Sequence, residues 1–111
     1  MAGFRQDRLN EQIQSEVVNI LRAVKDPRVS GAFVSIISVN ITKDLSLAKI
    51  YFSVIDADVA EVKKGLDSAV GFIRSSLAKN LNLRITPKLV FVNDDSAEKA
   101  IRISEILKEI K

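Results

Sequence analysis

The side chains here that could act on another molecule are few, and most of them are cations. Arg74, Lys79, Arg84 and Lys88 fall between Ser68 and Asn93, a stretch that holds no Asp or Glu. Lys25 and Arg28 bracket Asp26-Pro27, and Lys49 lies on an alternating segment further along. Positive side chains without neighbouring acids suit polyanion recognition, because ammonium and guanidinium groups replace the counterions of a phosphate backbone. A solvated lysine-rich surface would look similar. The net charge of +3, from 17 Lys and Arg against 14 Asp and Glu, does not separate the two readings. For Arg74 the plain alternative is a local pairing with Asp67 or Glu61.

Other chemistry is poorly supplied. The chain has no Cys and no His, so thiolate metal sites, thiol nucleophiles, Ser-His-Asp triads and HExxH zinc sites cannot be assembled. Asp94-Asp95 and the Asp56/Asp58 pair could be drawn around magnesium, but acids beside helix starts are more simply caps and dipole partners. Ser75-Ser76 has no imidazole to activate it, and Lys63-Lys64 reads as a solvated helix face. No glycine-rich phosphate loop of either common spacing is present. The expectation is a non-enzymatic protein with no cofactor, no metal and no small-molecule substrate; a small RNA-processing enzyme is the weaker alternative. No stretch reaches the ~20 apolar residues that span a bilayer, and the start of the chain meets polar residues at once. A cytoplasmic protein without a membrane partner is expected.

The elements that position these cations follow from hydrophobic period. With 47% apolar and 28% charged residues in a chain of 111, one domain over residues 1–111 is expected. Leu9, Ile13, Val17, Ile20, Leu21 and Val24 recur at helical spacing, and that helix must stop before Pro27. Asp26-Pro27-Arg28 reads as an exit turn, continued as a loop to Gly31. Phe33 to Thr42 reads as a strand in which Ile37, Val39 and Ile41 share a face. Val34 and Ile36 fall on the opposite phase. A β-bulge near Ile36–Ile37 reconciles the two, as would a strand buried on both faces over its first half. A hairpin at residues 42–46 leads to a second strand with Ala48, Ile50, Phe52 and Val54 on one side. Asp58 with Glu61 resembles a capping box ahead of Val62, Leu66, Ala69, Val70, Ile73 and Leu77. Gly65 and Gly71 inside that run predict a bend or close packing. Asn80-Leu81-Asn82 ends the helix. Lys88 to Asn93 follows a helical crossover and is expected to join a three-stranded sheet parallel to an earlier strand. Asp95 or Ser96 is expected to cap a last amphipathic helix with Ala100, Ile103, Ile106, Leu107 and Ile110 on its apolar face.

The order α–β–β–α–kink–α–β, with a C-terminal helix, is an α+β arrangement of the type II KH kind, a three-stranded sheet backed by helices. KH domains grip single-stranded nucleic acid with a GXXG loop. This chain has no GXXG and carries Ala69-Val70-Gly71 at the corresponding place. Only six aromatic residues are present, so base stacking is not expected to be the main grip.

The replacement of the loop by a kink resembles the ribosome-binding factor A family. Lys25-Asp26-Pro27-Arg28-Val29 resembles the family's turn after the first helix, and Val39 to Tyr51 its hairpin. Ala69-Val70-Gly71-Phe72-Ile73-Arg74 resembles its Ala-x-Gly kink, and Leu83 to Phe91 its approach to the last strand. Asp94-Asp95-Ser96 with Ala100-Ile101-Arg102-Ile103 resembles its final helix. The resemblance implies a monomeric factor that binds the small ribosomal subunit and its rRNA. It further implies a role in late assembly and rRNA maturation, most needed in the cold. The residues' own reading fits it: the basic flank of the kinked helix pair makes Arg74, Lys79, Arg84 and Lys88 the candidate RNA contacts, extended by Lys25, Arg28 and Lys49, with Ala69, Val70 and Gly71 shaping the interhelical kink. The alternative is a protein-interaction module on ribosomal particles without direct RNA contact.

Overall fold

Ile13, Val17 and Ile20 recur every three or four positions, and a helix gathers such residues on one stripe. Helix α1, Ala2–Leu21, forms on that pattern, and all three are buried. The structure, a computed structural model, describes residues 2–94, with side chains from Gln6 onward. The expected C-terminal helix and its cap lie outside the described residues. Helix α1 ends earlier than Pro27 requires. The Ala23 and Val24 N–H groups donate to the Ile20 and Leu21 carbonyls at 2.9 and 3.2 Å, three-residue bonds that tighten the last turn. Val24, beyond the helix, still reaches the core.

The segment expected as a loop from Arg28 to Gly31 is instead a one-turn helix, α2, Pro27–Ser30. The Asp26 carboxylate caps it by accepting from the Arg28 N–H at 3.0 Å. Proline at the first helical position has its φ preset and loses no bond there.

Strands β1, Phe33–Ile41, and β2, Leu47–Ile55, pair antiparallel, with the register slipping between Ile36 and Ser38. The bulge is therefore the correct resolution of the phase change. Ile37, expected beside Val39 and Ile41, is the inserted residue and is exposed, whereas Val39 and Ile41 are buried. The hairpin has no glycine, and Leu45 adopts φ 63°. The Asp44 carboxylate ties the loop together. It accepts from Thr42 Oγ1 and Ser46 Oγ at 2.7 Å each and from the Ser46 N–H at 3.1 Å.

Helix α3, Val59–Ser68, starts where Asp58 accepts from the Ala60 N–H at 2.9 Å. Helix α4, Val70–Leu81, ends at Asn82, whose left-handed conformation (φ 52°) is one that asparagine tolerates. Strand β3, Lys88–Asn93, runs parallel to β2, giving the sheet order β1-β2-β3. A parallel partner needs a long crossover, which α3 and α4 supply. The result is the α+β, KH-like arrangement of a three-stranded mixed sheet backed by helices. Ala48, Ile50, Phe52 and Val54 of β2 and Leu89 and Phe91 of β3 face α1, α3 and α4 and are buried. Phe52 and Phe91 meet edge-on at 6.4 Å, worth roughly 0.5–1.5 kcal/mol beyond their buried area.

One polar feature of α1 has no visible signal in its period. Gln6, Asn10 and Gln14 stand four residues apart and lie along the outer edge of β1. Gln6 Nε2 donates to the Ile41 carbonyl at 2.9 Å, and the Ile41 N–H donates to Asn10 Oδ1 at 2.8 Å. Gln14 Nε2 donates to the Ile36 and Ile37 carbonyls at 3.2 Å each, covering the bulge.

Candidate nucleic-acid interface

The break between α3 and α4 is a single residue. Ala69 sits at φ −90°, ψ 0° and serves as the end of one helix and the start of the next. Its N–H donates to the Gly65 and Leu66 carbonyls at 3.0 and 3.1 Å, and its carbonyl accepts from the Ile73 N–H at 3.0 Å. Hydrogen bonding thus runs through the turn, and the two helices meet at a kink, not a loop. The second helix begins at Val70, before Gly71, and no side chain caps it.

The two glycines of this hairpin have different surroundings. A Cβ on Gly65 would stand 2.8 Å from Val29 Cγ2 and 3.0 Å from Arg28 Cβ, so Gly65 lets α3 approach α2. A Cβ on Gly71 would meet nothing within 4 Å, and no glycine here has a positive φ. Among the described residues nothing demands glycine at 71. Around it is a shallow hollow of about 320 Å³ lined by Gly71, Arg74, Ser75 and Thr86. On the adjoining face of the same turn Ala69 and Phe72 line a second hollow of about 330 Å³, with Lys25 and Ser68 at its rim.

The cations divide by place. Arg74 does not pair with Asp67 or Glu61. Those acids take Lys63 at 2.7 Å and Lys64 at 3.4 Å along α3, the (i, i+4) and (i, i+3) spacings that suit a helix face. Arg74 instead donates from Nε to the Pro87 carbonyl at 3.1 Å and from Nη2 to the Thr86 carbonyl at 2.8 Å. Carbonyl acceptors orient a guanidinium without cancelling its charge. They also bring Arg74 to the start of β3, beside exposed Lys88. Arg84, on the same connection, is exposed and borders a small apolar recess with Leu9, Leu45 and Ile85. Lys49 and Lys88 project from the sheet face opposite the helices, since Lys49 pairs with Val90 and Leu47 with Lys88. Arg74, Arg84 and Lys88 are thus brought to the α4–β3 connection, Arg74 from the helix layer and Lys88 from the opposite sheet face, which Lys49 shares. One acid, Asp44 of the hairpin, comes near, because the Lys88 N–H donates to the Ser46 carbonyl at 2.9 Å. Lys43 stands next to Asp44 in the chain.

Three other candidates lie elsewhere. Lys25 is exposed on the α1 side of the kink and forms no ion pair among the described residues. Arg28 is occupied: its Nε and Nη2 donate to the Asp26 carboxylate at 3.0 and 2.6 Å. That guanidinium, together with the Arg28 N–H, lowers the Asp26 carboxyl to about 2, and the carboxylate raises Arg28 in turn. Lys79 is in the last turn of α4, about 7.5 Å along the axis from Arg74. The adjacent Asn80 donates to Glu16 of α1 at 2.8 Å, so a carboxylate stands at that end.

Asp58 works as a helix cap. Among the described residues no group of three or more acids, His or Cys is close enough to hold a metal ion, and no helix there is long and apolar enough to cross a membrane. Sequence reasoning misses two parts of this surface. The Thr86 and Pro87 carbonyls depend on an interaction across more than ten residues. Phe72 reads in the sequence only as part of a motif, yet it is 50% exposed on a helix that buries Ile73 and Leu77.

Known proteins share this arrangement. A ribosome-binding factor A from Clostridium botulinum is 43% identical over 114 residues, covering all of this chain and 94% of that one. The crystal structure of ribosome-binding factor A from Thermus thermophilus superposes with a TM-score of 0.72 at 22% identity, over 79% of this chain and 94% of that one. A homology model of the Thermus thermophilus ribosome binding factor A, fitted into the cryo-EM map of a 30S complex, gives a TM-score of 0.66 at 22% identity, over 78% and 91% of the two chains. The family model for ribosome-binding factor A matches residues 5–107, and with a relative so similar from end to end, this chain belongs to that family.

Proposed function

We propose that this chain is a non-enzymatic assembly factor that binds small-subunit rRNA in free or immature small ribosomal subunits, through the α4–β3 junction and the kink beside it. Family membership supports ribosome binding and a part in assembly. The Thermus thermophilus relative was fitted into a map of its 30S complex. The observation that carries the RNA reading is local. Arg74 is held on the connection that carries Arg84 and leads to Lys88, next to a glycine whose Cβ position is open, and Lys49 shares the outer sheet face with Lys88. Phosphates are recognised by such clusters, and a bare backbone lets a ligand chain come close.

The factor acts as one monomeric domain in the cytoplasm. It works by differential binding: a protein that prefers one rRNA conformation raises its population by the ratio of its affinities for the two. Cooling stabilises misfolded RNA helices, so the effect matters most in the cold.

The test replaces Arg84, Lys88 and Lys49 together by Ala and leaves Arg74, which holds the connection, in place. Co-sedimentation with purified small subunits should weaken while the circular dichroism spectrum is unchanged. For each phosphate no longer neutralised, the log–log salt dependence of binding should flatten by ~0.7–0.9. Unaltered binding would remove the junction from the interface. A second reading, docking on ribosomal protein, draws on the exposed cross-strand pair Phe33 and Ile55, 78% and 59% accessible. Binding that persists at high salt and disappears in Phe33→Ser would favour it.

A further inference from the structure

We propose that the hollow on the α1 side of the kink holds one unstacked base of single-stranded RNA, with Phe72 as the stacking platform and Lys25 on the flanking phosphate. This deepens the RNA reading above and rests on it.

The hollow's chemistry is mixed in a way that suits a nucleotide. Its apolar side is Val24, Ala69 and the half-exposed ring of Phe72. Its polar side is Ser68, Lys25 and Asp26. The Asp26 carboxylate takes three donors of Arg28, and Lys25 has no ion-pair partner among the described residues. An apolar side chain from a protein would fill the hollow and leave that cation unused. An acidic peptide would use the cation and leave the ring exposed. A nucleotide uses both, because bases stack on aromatic faces and their phosphates take Lys. About 330 Å³ is at the small end of ligand sites, room for one base and no more.

Continuity supplies the path. Gly71 and Arg74 line the hollow on the adjoining face of the same turn. A strand crossing the kink would lay its backbone against Gly71 and turn one base in beside Phe72. One stacked base does not make stacking the main grip; it adds a point of register to an otherwise electrostatic surface.

Ultraviolet crosslinking of the wild-type chain to purified immature small subunits, followed by mass spectrometry, should find a nucleotide adduct on Phe72. Phe72→Ala should weaken subunit binding roughly 5- to 150-fold, the range expected for one stacked base, without changing the salt slope. Phe72→Tyr should bind like wild type, and Phe72→Leu nearly as poorly as the Ala variant. Lys25→Gln should flatten the salt slope by ~0.7. A Phe72→Leu variant that binds normally would mean burial without stacking and would overturn the proposal. An adduct to a ribosomal protein peptide would overturn it in favour of a protein partner. Normal binding by Phe72→Ala, alongside weak binding by the Arg84/Lys88/Lys49 variant, would remove the pocket and leave the junction standing. Failure of the wild type to bind small subunits would remove both.

Discussion

Gly65 and Gly71 lie six residues apart on one helical hairpin, and the same residue type is there for opposite reasons. Gly65 is buried inside an apposition of α3 on α2, where any Cβ would overlap Val29 and Arg28. Gly71 faces space that nothing among the described residues fills. The first is required by the fold. The second, two residues into α4, costs helix propensity of up to about 1 kcal/mol against alanine, without a packing return among the described residues. A residue that costs stability and fills no structural need is the kind found where another molecule approaches.

The sharpest way to break this contrast is at Gly65. Gly65→Val should destabilise the protein by about 2–3 kcal/mol in urea unfolding, since it overpacks a filled apposition; a change under ~0.5 kcal/mol would mean that α2 yields freely. Next, Gly71→Ala should raise stability by about 0.5–1 kcal/mol, from the gain in helix propensity, while weakening co-sedimentation with small subunits. Gain of stability with intact binding would leave the bare backbone unexplained. The smallest effect concerns what holds α2 against Gly65. Asp26 has its carboxyl lowered from 3.8 to about 2 by Arg28. A lowered folded-state value stabilises the fold above the unfolded value, and the contribution fades as pH falls from about 4 toward 2. Wild type should therefore lose more stability over that window than Asp26→Asn. Asp44, lowered to about 2 by its Ser46 and Thr42 hydrogen bonds, adds to the same window and remains in both proteins.

Local signals are legible in the sequence and long-range ones are not. The bulge can be read because the apolar phase of β1 changes at Ile36–Ile37. The cap at Asp58 and the stop at Asn82 can be read because each depends on near neighbours. Helix α2 has its signal, Asp before Pro, but one turn is too short to show a period. The Gln6, Asn10 and Gln14 row looks like any polar helix face until β1 is known to run beside it. At the interface, the cations are visible as a stretch without acids. Their sorting is not: Arg28 is spent on Asp26, two residues away, whereas Arg74 finds carbonyls on a connection that only the tertiary fold brings near. Phe72 falls off the stripe that the period assigns to Ile73 and Leu77, but one apolar residue off the stripe carries no signal of a ligand by itself.

The three amides of α1 have a consequence for life at high concentration. An open strand margin invites a stranger's backbone, and chains that accept one grow into aggregates. Here the Ile36 and Ile37 carbonyls and both backbone groups of Ile41 are already engaged by neutral side chains. That part of the first strand's margin is closed to a pairing stranger without the lysines or prolines that often guard such margins.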